Sequence, residues 1–175
     1  MTLKRTILPI LFIAAVGQVF AQRHYTGIEG IEASGGSSIF HGTAPYGSIG
    51  YSKYKSRVSF WKVGINYLQK KYESGNEKQN ADNIYLDASY NRTVATNRTS
   101  LFLNLGLGAL AGTEIYRQEK KQYDFIAGGK LEAELEFFIA SRTALVGRIT
   151  QLWSPLSDIR KWDTTWQVGI KYLIY

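Results

Sequence analysis

Between Phe125 and Phe137 the chain alternates with period two: Phe125, Ala127, Leu131, Ala133, Leu135 and Phe137 fall on odd positions, and Lys130, Glu132, Glu134 and Glu136 on even ones. Successive side chains of a strand point to opposite faces, so one face of this segment wants hydrocarbon and the other carries charge. A second stretch, Leu101 to Ala111, sets Leu101, Leu103, Leu105, Leu107, Ala109 and Ala111 against Asn104, Gly106 and Gly108.

A soluble sandwich would alternate too, and three further features favour a membrane barrel. The strands run to about 10 to 13 residues, as tilted membrane strands must, against about five or six for an average strand. Aromatic residues sit near the ends of the apolar faces, Trp61 with Tyr67 and Trp166 with Tyr172, as the interfacial girdles of such barrels do. The chain also ends on an aromatic, Tyr175, directly after the alternating series Trp166, Val168, Ile170, Tyr172, Ile174, although parity puts Tyr175 on the opposite face.

The alternation predicts eight strands: Thr26 to Gly35, Ala44 to Lys53, Val58 to Lys70, Asn83 to Arg92, Ser100 to Thr113, Tyr123 to Ile139, Thr143 to Leu152 and Thr164 to Tyr175. Connections after odd-numbered strands (Gly36 to Thr43, Lys71 to Asp82, Glu114 to Gln122, Trp153 to Asp163) are longer and polar, while those after even-numbered strands are mostly short. Long loops on one side and short turns on the other are the asymmetry of outer-membrane barrels, and an even strand count returns both termini to the periplasm. The expected fold class is therefore an all-β, eight-stranded antiparallel transmembrane barrel.

Residues 1–21 read as a cleaved secretory signal peptide, with Lys4 and Arg5, an apolar run from Ile7 to Val16, and Val19, Phe20 and Ala21 before the cleavage point. That run is shorter than the ~20 residues of a spanning helix. Residues 22–175 form the barrel domain. Removing Lys4 and Arg5 lowers the formal charge from +7 to +5. These charges are spread along the chain with no aromatic-laced basic cluster, so no direct nucleic-acid contact is expected. With no cysteine and two histidines, His24 and His41, the chain offers no lipid attachment site, no disulfide framework and no credible metal ligand set, and no cofactor motif is present.

One internal echo stands out. The segments from Trp61 to Leu68 and from Trp166 to Leu173 match at six of eight positions. They belong to strands running in opposite directions, which favours convergence over duplication.

An eight-stranded barrel encloses just enough space for its own side chains. Lys130, Glu132, Glu134 and Glu136 on the sixth strand should therefore meet partners inside, with Arg148, Lys62, Lys171 and Asp87 the inward candidates. A structural ion network is expected over a gated polar path, because buried charges are costly unless matched. Glycines such as Gly106, Gly108, Gly112, Gly128 and Gly129 lie within strands, where they relieve crowding. A lipid-modifying site built from His41 with Ser37 and Ser38 is conceivable but lacks any recognisable nucleophile motif.

Four stretches, AQRHYTGIEGIEASGG, FLNLGLGALAGTE, FIAGGKLEAELEFFIASRTALVGRI and QVGIKYLIY, occur in this order over most of the mature chain. Together they resemble the TraO family of conjugative-transposon proteins of Bacteroidetes. The resemblance, rather than the alternation, implies a non-enzymatic outer-membrane component of a type IV secretion-like conjugative DNA-transfer apparatus. Its expected partners are outer-membrane lipid and other envelope proteins of that apparatus, met through its leader and loops. A surface-binding, adhesin-like barrel is the alternative.

Overall fold

The computed structural model describes residues 24–39, 44–74, 77–116, 122–157 and 159–175. The proposed signal peptide and His41 lie outside them. Eight strands close into one antiparallel barrel in sequence order: β1 (Glu29–Ser38), β2 (Pro45–Ser56), β3 (Ser59–Ser74), β4 (Glu77–Thr96), β5 (Leu101–Tyr116), β6 (Gln122–Phe138), β7 (Thr143–Trp153) and β8 (Trp162–Ile174). β1 pairs with β8 from Glu29 opposite Ile174 to Ser38 opposite Thr165, which leaves no open sheet edge.

The register fixes the shape. From Glu29 the paired positions are Lys53, Trp61, Tyr90, Leu107, Leu131, Gln151 and Thr164. Thr164 then bonds to Ile39, ten residues beyond the starting point on β1. With a rise of about 3.3 Å per residue and strands about 4.8 Å apart, this stagger gives a tilt of about 40° and a radius of about 8 Å. A cylinder of that size has no room for both a packed core and a channel.

The sequence alternation becomes an inside and an outside. On β7 the buried set Ala144, Val146, Arg148, Thr150 and Leu152 faces in, while Leu145, Ile149 and Trp153 face out. Ile49, Ile65, Leu86, Leu107, Leu131, Ile149 and Val168 are each more than half exposed, and they belong to one continuous apolar band around the barrel. A contiguous apolar surface of that extent suits hydrocarbon and not water.

The start of β1, the end of β8 and the three short connections, Arg57–Val58, Asn97–Ser100 and Ile139–Arg142, lie at one end. We call it the terminus end and the opposite one the far end. In the second of these turns Asn97 Oδ1 accepts from the backbone N–H of Thr99, Ser100 and Leu101 at 2.9 to 3.0 Å, holding Arg98 at φ 65°.

The strand boundaries differ most from the sequence expectation in three places. β1 begins at Glu29 and not Thr26, because Gly27 adopts φ +89°, a left-handed conformation that ends any strand. The expected loops Lys71 to Asp82 and Glu114 to Gln122 are mostly strand: β3 and β4 pair out to Ser74 opposite Glu77, and β5 and β6 out to Tyr116 opposite Gln122. Their polar composition marks contact with water, which leaves a registered hairpin free to keep adding ladder hydrogen bonds.

Candidate functional site

The lumen is a stack of layers. At its centre β6 presents Lys130, Glu132, Glu134 and Glu136 inward, all buried. Glu134 is the hub. It lies 2.9 Å from Lys62 Nζ on β3, 2.8 Å from Arg148 Nε on β7 and 2.7 Å from Lys171 Nζ on β8. Glu132 pairs with Lys62 at 2.8 Å and Lys130 at 3.2 Å and accepts from Ser89 at 2.9 Å. Lys130 also contacts Asp87, and Arg148 also contacts Glu32 on β1. The candidates from strands β3, β4, β6, β7 and β8 thus join one network, and Glu32 is a member that alternation did not single out.

Two glycines make space for it. A Cβ on Gly106 would lie 2.2 Å from Asn91 Oδ1 and 2.8 Å from Glu132 Cγ, and one on Gly64 would lie 2.7 Å from Asp87 Oδ1. Glycine is a packing requirement of the charged layer at Gly106, and at Gly64 it leaves the Asp87 carboxylate its place.

Five carboxylates (Glu32, Asp87, Glu132, Glu134, Glu136) thereby meet four lysine and arginine side chains (Lys62, Lys130, Arg148, Lys171). A fifth basic group comes from outside the strands. The leader turns in at Gly27, whose N–H donates to Tyr54 O at 2.8 Å, and drops His24 into the terminus-end mouth. His24 Nε2 lies 3.1 Å from Glu136 Oε2, and its ring sits 4.2 Å from Phe102 and 4.4 Å from Tyr54, centroid to centroid. Ile28, Phe60, Phe138, Ala144 and Leu173 complete an apolar and aromatic plug at this end. Sequence reasoning weighs His24 only as a metal ligand and assigns it no place in the lumen. The one available signal was that Phe102 and Phe138 share inward parity with Asn104 and Glu136, so the mouth beside them had to be apolar.

Towards the far end the charged layer is covered by Tyr46, Leu68, Tyr85, Leu110, Ile126 and Leu152. Above them Lys70 Nζ reaches Glu114 at 3.3 Å, and Tyr116 and Ser157 both donate to Glu114 at 3.0 Å. Ser157 belongs to the β7–β8 connection, which therefore folds over the mouth. Between these layers two voids measure about 10 Å³ each, room for about one water apiece. The arrangement is a filled, charge-paired interior.

The four sequence-selected aromatics face outward by register. Trp61, Trp166 and Tyr172 are exposed, while Tyr67 is half-buried and donates to Asp82 at 2.7 Å. Trp61 and Tyr172 lie towards the terminus end, Tyr67 and Trp166 towards the far end. Trp61 meets Tyr90 edge-on at 5.0 Å, and Trp153 and Trp162 sit 6.1 Å apart near the far end. Tyr175 stands beyond β8, its ring beneath the Arg142 guanidinium at 5.0 Å. Of the serines considered for acyl transfer, Ser37 donates to Ala44 O at 2.9 Å and Ser38 to Asp163 at 2.6 Å, so both are engaged in holding the β1–β2 end.

Among solved structures, the N-terminal β-barrel domain of Pseudomonas aeruginosa OprF is similar over 86% of this chain and 100% of its own, with 11% identity and a TM-score of 0.63. Neisserial surface protein A matches over 84% of this chain and 97% of its own, with 9% identity and a TM-score of 0.62. Ail, the attachment invasion locus protein of Yersinia pestis, matches over 85% of this chain and 99% of its own, with 12% identity and a TM-score of 0.58. At such identities these likenesses establish the fold, an eight-stranded barrel of the outer-membrane type. No curated protein sequence matches the chain. A family model, "Conjugative transposon protein TraO", matches residues 26–174, from the turn before β1 to the last residue of β8, and the chain belongs to that family.

Proposed function

We propose that this barrel is a non-enzymatic outer-membrane component of a conjugative DNA-transfer apparatus, with its termini in the periplasm, acting through protein contacts at its rims. Family membership supplies the process; fold alone would not. The observation that carries the mode of action is the filled lumen. With five carboxylates and five basic groups interlocked between two apolar layers, a single barrel gives a transferred strand no passage. What it can offer is a rigid rim, a leader anchored by His24, and the strands that project at the far end.

Deleting the gene while leaving the rest of the element intact should lower mating frequency, and re-expression of the barrel should restore it. Undiminished transfer would sink the reading. Photo-crosslinking residues placed at Arg57, Arg98 and Arg142 should capture other envelope proteins of the apparatus during transfer.

A further inference from the structure

The outer face carries a concavity among the described residues. Across β2 to β5, Ile49, Val63, Ile65 and Leu86 stand around Ala88 and Ala109 and enclose an apolar groove of about 650 Å³. Register explains the relief: Val63, Ala88 and Ala109 are side by side, so a wall of branched side chains borders a floor of methyl groups. The volume lies within the about 300–1,000 Å³ of ordinary small-ligand sites.

The same strands change chemistry towards the terminus end. Outward positions on β2 run Ile49, Tyr51, Lys53, Lys55, and on β4 they run Leu86, Ala88, Tyr90, Arg92, all exposed. Lys53, Trp61 and Tyr90 are neighbours across three strands. An apolar groove therefore descends into an aromatic tier and then a cationic one, the sequence of environments from acyl chain through interface to phosphate. Lys53 also meets Glu29 at 3.0 Å in an exposed, weakly held pair that a phosphate can displace, and Lys55 and Arg92 are further cations on the same rim.

Length selects the occupant. From Arg92 to Leu86 the strand covers about 20 Å at about 3.3 Å per residue, or about 15 Å along the axis at the barrel's tilt. That is half of a ~30 Å hydrocarbon core, the depth of one leaflet. A spanning helix or a second barrel would need the full thickness. We propose that the groove binds one acyl chain of an anionic phospholipid in the terminus-side leaflet, its phosphate held by Arg92 and Lys53. This rests on membrane placement and not on any role in transfer.

Mature protein reconstituted in phosphatidylcholine vesicles containing phosphatidylglycerol, then released into detergent, can be weighed by native mass spectrometry. The expected result is one retained phosphatidylglycerol per barrel, in preference to phosphatidylcholine. Ala109→Leu should cut retention roughly tenfold or more, Arg92→Gln combined with Lys53→Gln should erase the headgroup preference, and Ile149→Ala on the other side should change neither. A heat-dependent gel shift confirms closure of each variant, and Ala88→Val fills the same floor if Ala109→Leu does not close. Equal retention by the filled variants, no preference for the anionic lipid, or barrel dimers in place of bound lipid would each overturn the assignment.

Discussion

His24 Nε2 and Glu136 Oε2 are 3.1 Å apart although 112 residues separate them in sequence. The contact ties the leader to the lumen of a barrel whose strands do not include it. Glu136 keeps Lys171 at 2.7 Å and Asn104 at 2.9 Å without it, so His24→Ala should leave the barrel closed. Loss of the pair and of the ring contacts should cost about 1–3 kcal/mol, read as a lower urea midpoint in detergent. An unchanged midpoint would show that the plug holds without its histidine.

Glu134 is expected to be the most sensitive charge in the protein. Its removal takes the shared partner of Lys62, Arg148 and Lys171, leaving three cations against Glu132, Glu32 and Glu136 around a gap in the centre of the lumen. Glu134→Ala should destabilise by about 3–5 kcal/mol. Lys53→Gln, which breaks a pair exposed to solvent at the rim, should cost no more than about 1 kcal/mol. Denaturant titrations of the two variants side by side test the ordering.

Close packing around the charged layer makes a glycine contrast. Gly106→Val should fail the heat-dependent gel shift, because the new Cβ would meet Asn91 and Glu132. At Gly47 nothing lies within 4 Å of the added atom, and Gly47→Ala should fold as the parent does.

Topology can be read against a clean background, since the chain has no cysteine. With termini in the periplasm, a membrane-impermeant maleimide should label Leu156→Cys on intact cells, and Arg57→Cys only after the outer membrane is opened. The reverse pattern would invert the barrel.

What sequence revealed followed from how sharply two faces differ. Along β6, glutamate opposite leucine makes parity unmistakable, and the inward residues Lys62, Arg148 and Lys171 follow from it. On β1 the run from Ala33 to Ser38 is small and polar on both faces, so Glu32 carries no contrast and went unnamed. His24 was hidden for another reason: its partners Tyr54, Phe102 and Glu136 come from β2, β5 and β6, and only closure of the barrel assembles them. The hairpin extensions beyond Lys70 and Thr113 were obscured because composition reports the solvent around a segment and not its backbone conformation.

Glu134 draws its cations from β3, β7 and β8, so no hairpin taken alone assembles its full set of partners. A sheet inserted strand by strand would carry bare charge into hydrocarbon until β8 arrived to seal against β1. Completion of the ion network and closure therefore coincide, and the last-made strand decides when the membrane will accept the whole.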